Sequence, residues 1–220
     1  MLHGYLSSKE SFIYQIKFFS RFCRVVAVDM TGFGKSPEMD YAYSVDDYAK
    51  EIKDILDFLG EEKVDCIAHS FGARVLVKLA LKDERIDKII FTGAAGLKPR
   101  RSLKYFFKRA SFFILKRFVK REKLKFLYSE DYRNLSEIKK QSFKKIIAEN
   151  LDLHYQKLNN DCLLIFGKRD RQTPPYMAKR MKRLVKNSRL VFMPNAGHFC
   201  FMESFDAFNG LAFKFLLGNL

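Results

Sequence analysis

The stretch VDCIAHSFGARVLVKLAL, residues 64–81, changes its hydrophobic pattern in the middle. Residues 64–68 form a short apolar run of the kind found in buried strands, and residues 73–81 have the spacing of a helix. Ser70 lies in the few residues between the two patterns. The stretch therefore predicts a strand that turns sharply into a helix, with a serine at the turn.

The residues around Ser70 have the sizes that such a turn requires. Ala68 and Gly72, two positions away on either side, are both small. The usual pattern is G-x-S-x-G, so Ala68 in place of the first glycine is a departure. This turn would point the Ser70 hydroxyl out of the sheet and place the Phe71 N–H at the helix start, where it can stabilise an oxyanion. An ordinary serine at a helix N-terminus is the alternative.

Further apolar runs and helical patterns alternate on both sides of this stretch. The apolar runs are Arg24–Val28, Lys88–Thr92, Cys162–Phe166 and Leu190–Met193. The helical patterns begin at Ser7, at Ser44, at Pro174-Pro175 and at about Ser204. Ser44 with Asp47 resembles a capping box, and Gly60 stands where a C-cap glycine belongs. The alternation predicts an α/β fold with a mostly parallel, doubly wound sheet.

The segment 97–158 interrupts this alternation, because it shows helical pattern without a convincing strand. We expect an inserted helical cap at 97–158 and a core formed by 1–96 and 159–220. Lys98 to Lys125 contains twelve Lys or Arg residues and one acid, Glu122, which makes +11 of the total formal charge of +16.

The composition excludes some classes of protein and leaves several partners open. With 220 residues, 48% hydrophobic and 30% charged, the chain is neither disordered nor collagen-like. The charge of +16 favours anionic partners or reflects compositional bias. A basic, Phe-rich helix in the cap could lie on an anionic membrane surface, or its apolar side could cover a substrate pocket. Nucleic acid is not expected as a partner, because no recognised motif accompanies the charge.

The cysteines and the start of the chain bear on location and cofactors. Cys23, Cys66, Cys162 and Cys200 form no CxxC pair, and we expect buried free thiols in a reducing compartment. No metal-ligand spacing is visible, so we expect neither a metal nor a cofactor. We see no signal peptide pattern and no apolar stretch long enough to span a bilayer, which favours a cytoplasmic location.

Two residues that could activate Ser70 also follow predicted strands. Asp170 comes after the run that ends at Phe166, and His198 comes after the run that ends at Met193. Functional groups in open α/β sheets gather at this carboxyl edge. A serine hydroxyl needs a base, a histidine titrates in the right range, and a carboxylate fixes the histidine tautomer.

Together these features resemble the α/β-hydrolase family from His3 to the C-terminus. The loop Asp29-Met30-Thr31-Gly32-Phe33-Gly34-Lys35-Ser36 is similar to the family's D-x-x-G-x-G-x-S loop, and the insertion after Gly93 is at the family's cap position. The resemblance implies that Ser70 is the nucleophile, His198 the general base and acid, and Asp170 the orienting acid. It also implies an oxyanion hole from the backbone N–H groups of Tyr5 and Phe71. The sharp turn at Ser70, called the nucleophile elbow in this family, and the His-Gly loop at residues 3–5 would be supported by His3, Gly4, Ala68, His69 and Gly72.

The resemblance implies a serine hydrolase that cleaves a carboxylic ester or a related acyl substrate through an acyl-enzyme. Serine at this position argues against the dehalogenase and epoxide hydrolase branches, which use aspartate there. The alternative is a non-catalytic binding or membrane-surface module that uses the basic cap.

The family normally has three strands before the His-Gly loop, whereas only Met1 and Leu2 precede His3. We therefore expect the N-terminal strands to be missing, which would leave two rows of backbone groups unpaired. A shortened form of a longer protein would explain this.

Overall fold

The computed structural model describes residues 1–99 and 130–218. Four strands form one sheet in the order β1-β2-β3-β4, and all neighbouring strands pair in parallel. The strands are β1 Val64–His69, β2 Ile86–Thr92, β3 Cys162–Gly167 and β4 Ser188–Met193. The predicted α/β class with a parallel sheet is confirmed.

Helices connect the strands and cover the sheet. They are α1 Ile13–Phe19, preceded by a 3₁₀ helix at Lys9–Phe12, α2 Val45–Leu59, α3 Phe71–Ala80, α4 Glu130–Arg133, α5 Glu137–Ala148, α6 Asp152–Lys157, α7 Pro175–Leu184, α8 Cys200–Glu203 and α9 Phe205–Leu216. The helical pattern expected from Ser204 is thus preceded by a separate short helix.

Both faces of the sheet are buried, because successive side chains of a strand point to opposite faces. On β2, Ile89 belongs to the core under α2, α3 and α7, and Ile90 belongs to the core under α1, α8 and α9. Both side chains are fully buried. This two-sided burial explains why the strand sequences are continuously apolar.

Helix α2 shows the predicted capping. The Ser44 hydroxyl accepts a hydrogen bond from the Asp47 N–H at 3.3 Å, and the Asp47 carboxylate accepts one from the Ser44 N–H at 2.7 Å. Gly60 ends the helix with φ of 65°, in the left-handed region that glycine adopts at low cost.

The predicted strand at 24–28 is wrong as an element of the sheet. Val28 forms only an isolated parallel bridge, and its partner is Leu2. Leu2 forms a second parallel bridge with Ala68 of β1. Because only Met1 and Leu2 lie between 24–28 and β1, the ladder is too short to make 24–28 a strand.

The structure describes part of the predicted cap segment. Its described part, 97–99 and 130–158, contains helices α4, α5 and α6 and no strand. Leu97, Ile146 and Tyr155 pack into the same core as the sheet. Most of the basic run, from residue 100 to 125, lies outside the described residues, and the division into core and cap stays a prediction.

The four cysteines are free thiols. Cys162 and Cys200 are buried and Cys66 is half-buried, but Cys23 is exposed, so the expectation of burial is wrong for Cys23. Across 1–99 and 130–218, no helix is both long enough and apolar enough to cross a membrane.

Candidate active site

Ser70 is the single residue between β1 and α3. Its backbone has φ of 49° and ψ of −105°, which is unusual for a residue with a side chain and costs on the order of 1–3 kcal/mol. A Cβ atom on Gly72 would collide with the Leu2 carbonyl oxygen, so the turn requires glycine there. Ala68 is fully buried at the end of the strand. These constraints produce the sharp turn that the sequence predicts.

The end of β2 contacts both Ser70 and the His198 loop. The Ser70 N–H donates to the Thr92 carbonyl oxygen at 3.1 Å. The next residue, Gly93, has φ of 52°, and a Cβ atom there would lie 3.1 Å from the His198 ring. Sequence reasoning did not assign a role to Gly93, although a glycine directly after a buried strand signals a close approach of this kind.

His198 and Asp170 form a buried pair. The distance between His198 Nδ1 and Asp170 Oδ2 is 2.8 Å, and the two residues are 8% and 3% exposed. Asp170 Oδ1 also accepts hydrogen bonds from the backbone N–H groups of Gln172 and Thr173. Burial alone would raise the pKa of Asp170, but hydrogen bonds from His198 and Thr173 outweigh it and hold the pKa below its ordinary value. Asp170 is therefore a carboxylate at neutral pH, and it fixes the proton of His198 on Nδ1.

Thr173 is a neighbour that sequence reasoning missed. Its hydroxyl donates to Asp170 Oδ2 at 2.7 Å and lies 3.4 Å from His198 Nδ1. The sequence feature that could have indicated this contact is a threonine three residues after the aspartate, in the turn before the two prolines at the start of α7.

The loops that carry Asp170 and His198 are bonded to each other. The Arg169 N–H donates to the Ala196 carbonyl oxygen at 3.0 Å, and the Lys168 N–H donates to the Met193 carbonyl oxygen at 2.9 Å. A Cβ atom on Gly167 would collide with the Gly197 carbonyl oxygen. The two loops therefore approach so closely that only glycine fits between them.

His69 is a buried packing neighbour of the pair. Its ring centroid lies 4.7 Å from that of His198, and its Nε2 lies 3.2 Å from the His198 carbonyl oxygen. Burial, reinforced by the nearby His198, lowers the pKa of His69 to about 3. The ring is therefore neutral at neutral pH, and its Nε2–H donates to that carbonyl.

The loop at residues 3–5 is held against the elbow. His3 Nδ1 donates to the Gly4 carbonyl oxygen at 2.7 Å, and His3 Nε2 accepts from the Met30 N–H at 3.1 Å. Burial lowers the pKa of His3, which favours this neutral form. A Cβ atom on Gly4 would lie 2.8 Å from His69 Nδ1, so this position also favours glycine.

Two backbone N–H groups near Ser70 are available to a ligand. In the part of the chain that the structure describes, the N–H groups of Tyr5 and Phe71 have no hydrogen-bond acceptor. Phe71 is the first residue of α3, where helix N–H groups have no partner within the helix. The Tyr5 ring packs edge-on against the Phe71 ring at 5.6 Å between centroids, which ties the two loops together.

The loop that begins at Asp29 folds around its own carboxylate. Asp29 accepts hydrogen bonds from the backbone N–H groups of Lys9 and Lys35 and from the Lys9 ammonium at 2.8 Å. Burial would raise the pKa of Asp29, but these donors prevail and lower it to about 2. Gly34, with φ of 54°, lies so close that a Cβ atom would collide with this carboxylate. Asp29 therefore stabilises the conformation of this loop beside the candidate active site.

The arrangement contains a hydroxyl at a sharp turn, an imidazole oriented by a carboxylate, and two N–H donors without an acceptor among the described residues. Among the described residues, no group of His, Cys, Asp and Glu side chains could hold a metal ion. These parts fit acyl transfer through a serine nucleophile.

Several relatives align with nearly the whole chain at low sequence identity. AB hydrolase superfamily protein YisY of Bacillus subtilis (strain 168) is 24% identical over 246 residues, which cover 97% of this chain and 89% of the relative. Epoxide hydrolase 4 of Mus musculus is 27% identical over 260 residues, which cover 98% of this chain and 72% of the relative. The 2-hydroxy-6-oxo-2,4-heptadienoate hydrolase of Pseudomonas putida is 24% identical over 220 residues, which cover 90% of this chain and 79% of the relative.

The fold also matches solved structures. An esterase from Exiguobacterium antarcticum superposes with a TM-score of 0.77 at 24% identity, covering 97% of this chain and 89% of that chain. A family model described as alpha/beta hydrolase fold matches residues 1–127, and a second, described as TAP-like protein, matches residues 145–218. The first match spans more than half of the chain, and the parallel sheet agrees with it. The chain therefore belongs to the alpha/beta hydrolase fold family and is a hydrolase of that fold.

Proposed function

We propose that this hydrolase uses Ser70 as its nucleophile, His198 as general base and acid, and Asp170 as the orienting carboxylate. The substrate is a carboxylic ester or a related acyl compound. The observation that carries the proposal is the buried His198–Asp170 hydrogen bond of 2.8 Å beside a serine in a strained elbow.

The proposed reaction has two halves. The Ser70 oxygen forms a bond to the acyl carbon while its proton passes to His198 Nε2. The negative charge that develops on the carbonyl oxygen is stabilised by the free N–H groups of Tyr5 and Phe71. His198 then returns the proton to the leaving alcohol, the C–O bond breaks, and an acyl-enzyme remains. A water molecule then gives a proton to His198 and attacks the acyl carbon. The bond between that carbon and the Ser70 oxygen breaks, His198 returns the proton to the Ser70 oxygen, and the acid is released.

The names of the relatives set the range of substrates to assay. They include epoxide hydrolases, a 2-hydroxy-6-oxo-2,4-heptadienoate hydrolase and an esterase. Ser70 at the elbow favours acyl chemistry, because an epoxide-opening branch of the family has aspartate there. The test panel should therefore contain p-nitrophenyl esters of increasing chain length, thioesters and a styrene oxide.

A fluorophosphonate probe tests the nucleophile directly. We expect the probe to label wild-type protein and to leave Ser70→Ala unlabelled. Ser20→Ala is the matched control, because Ser20 is exposed at the end of α1. Ester hydrolysis should fall by about 10⁴–10⁶ in Ser70→Ala and stay unchanged in the control.

Two outcomes would contradict the proposal. Labelling of Ser70→Ala at the wild-type level would show that another residue reacts. Folded wild-type protein that neither reacts with the probe nor cleaves any ester would favour the alternative of a non-catalytic binding module.

A further inference from the structure

Helix α5 of the predicted cap is bound at its first turn to the loop that carries Tyr5. The Tyr5 hydroxyl donates a hydrogen bond to the Lys139 carbonyl oxygen at 3.1 Å. The Tyr5 ring also packs against the Phe143 ring of α5, with 4.9 Å between the ring centroids. The residue whose backbone N–H is a proposed oxyanion donor is therefore bound to the cap through its side chain.

The backbone next to Tyr5 is strained. The Ser7 N–H donates to the Gly4 carbonyl oxygen at 3.2 Å, which closes a turn with Tyr5 and Leu6 at its centre. Leu6 has φ of 57°, in the left-handed region that residues with a side chain rarely adopt. Such a conformation persists only where surrounding contacts hold it. The Leu6 side chain is exposed, whereas the Tyr5 ring contacts several other rings, those of Phe33, Phe71 and Phe143.

The other end of α5 is bound by Arg74 of α3. The Arg74 Nη1 group donates to the Ile146 carbonyl oxygen at 2.8 Å and to the Glu149 carbonyl oxygen at 3.0 Å. Carbonyl groups in the last turn of a helix have no partner within the helix, and a positive charge is favourable there. Arg74 therefore caps the C-terminus of α5.

Arg74 lies on the helix that begins at the nucleophile elbow. It follows Ser70 by four residues, which is about one helical turn. Lys78, one turn further along α3, forms ion pairs with Asp46 of α2 and with Glu149, and its side chain is only 5% exposed. Two successive turns of α3 therefore hold the end of α5.

Helix α5 thus connects the two elements that carry the proposed oxyanion donors. One donor, the Tyr5 N–H, lies in the loop bound to Lys139, and the other, the Phe71 N–H, lies at the start of α3. The two anchor points on α5, Lys139 and Ile146, are seven residues apart, which is about 10 Å along the helix axis. The position of α5 therefore bears on the position of one donor relative to the other.

We propose that the side chains of Tyr5 and Arg74 are positioning groups for the oxyanion hole. They bind the two ends of α5, and α5 in turn fixes the Tyr5 N–H relative to the Phe71 N–H. This inference rests on the proposed function, in which both N–H groups stabilise an oxyanion. A shift of α5 moves the Tyr5 N–H, because the hydroxyl that binds α5 belongs to the same residue. The cap thus acts on the chemical step as well as on substrate access.

The test removes each anchor alone and both together. Tyr5→Phe removes only the hydroxyl, and Arg74→Met removes the donors but keeps an unbranched side chain. Arg74→Lys is the conservative variant, because an ammonium can still donate to the carbonyl groups at the end of α5. Tyr14→Phe and Lys82→Met are the matched controls, since Tyr14 is exposed on α1 and Lys82 is an exposed cation just after α3. The measurements are kcat and KM for p-nitrophenyl acetate and hydrogen exchange of peptides covering 137–148.

We expect kcat to fall by about fivefold in Tyr5→Phe and by about tenfold in Arg74→Met, as for the loss of one hydrogen bond and of two. KM should change by less than about twofold, because the oxyanion forms only in the transition state. The double variant should be no slower than Arg74→Met, because both side chains act through α5. Arg74→Lys should restore most of kcat. Exchange in 137–148 should become about fivefold faster in Tyr5→Phe and in Arg74→Met and stay unchanged in the controls.

Wild-type kcat in Tyr5→Phe would overturn the proposal, and so would independent, multiplying losses in the double variant. Equal exchange in 137–148 for wild type and Tyr5→Phe would also overturn it, whether or not the protein is active. Tyr5→Phe removes a single oxygen atom, so it still decides the matter if Arg74→Met does not fold. Failure of the proposed function would instead appear as wild-type protein without Ser70-dependent turnover.

Discussion

Asp170 accepts hydrogen bonds on both oxygens, from His198, Gln172 and Thr173. Its pKa in the folded protein is therefore below the ordinary value of about 3.9. A group with a lowered folded pKa stabilises the folded state at pH values above its unfolded pKa. That stabilisation disappears as the pH falls through the folded pKa. Ionised Asp170, the proposed orienting acid, therefore also stabilises the folded protein, and this contribution is lost in acid.

We expect Asp170→Asn to lower ester turnover by roughly 10⁴, because the amide favours the wrong tautomer of His198. It should also lower the free energy of unfolding at pH 7, and this difference from wild type should shrink below pH of about 4. Stopped-flow kinetics and urea unfolding at several pH values measure the two effects. Asp161→Asn is the control, since Asp161 precedes β3 at the opposite end of the strand. Wild-type turnover in Asp170→Asn would contradict the assignment.

Thr173 offers a finer test of the same pair. Thr173→Val removes the hydroxyl that donates to Asp170 at 2.7 Å but keeps the shape of the side chain. We expect turnover to fall by about tenfold or more with little change in KM, since a hydrogen bond to a charged group contributes about 1.5–3 kcal/mol. Thr173→Ser should restore most of the turnover. If the serine and valine variants behave alike, the hydroxyl does not position Asp170.

The sequence predicts best those secondary-structure elements whose ends are marked by residues within the element or directly next to it. Ser44 and Gly60 mark the two ends of α2, and each acts through a bond or backbone angle within the helix itself. Residues 24–28 have the apolar sequence expected of a strand, yet Val28 alone among them forms a β-bridge. A strand depends on a partner elsewhere in the chain, and composition cannot show whether that partner is present.

The capping box of α2 should contribute measurably to stability. We expect Ser44→Ala to lower the free energy of unfolding by about 1 kcal/mol, because the Asp47 N–H loses its acceptor. Urea denaturation measures this change. Ser20→Ala, in which the exposed hydroxyl is not at a helix N-terminus, should have an effect within about 0.5 kcal/mol. Equal losses in the two variants would show that the capping box contributes nothing specific.

In the whole molecule, segments far apart in sequence meet at one edge of the sheet. The order of Ser70, Asp170 and His198 after their strands predicts this meeting, because parallel strands share a carboxyl edge. The contacts of Thr173 and Gly93 were not predictable in the same way. Each depends on the path of a loop in three dimensions, and the sequence shows only that the residue types permit it.

The charge of +16 also acts at the scale of the whole molecule. We expect kcat/KM for anionic esters to fall as salt shortens the screening length to about 8 Å, while a neutral ester is insensitive to salt. Replacing Lys104, Lys108 and Arg109 with Gln should reduce kcat/KM for the anionic esters and weaken sedimentation with anionic vesicles. Neutral-ester turnover is the internal control. If wild-type protein responds to neither salt nor vesicle charge, the positive charge does not guide substrate or membrane binding.

The uneven burial of the thiols has a practical consequence for spectroscopy. Burial raises the pKa of Cys66 and Cys200 to about 11 and that of Cys162 to about 12, so these groups are scarcely ionised near neutrality. Burial also raises the pKa of Cys23, but Cys23 is the exposed thiol, so reagents that react with the thiolate can reach it. A maleimide dye should therefore attach at Cys23 in the native sequence. Since Cys23 lines the apolar cavity between residues 24–28 and β1, such a dye would report changes in that cavity by fluorescence, without any engineered cysteine.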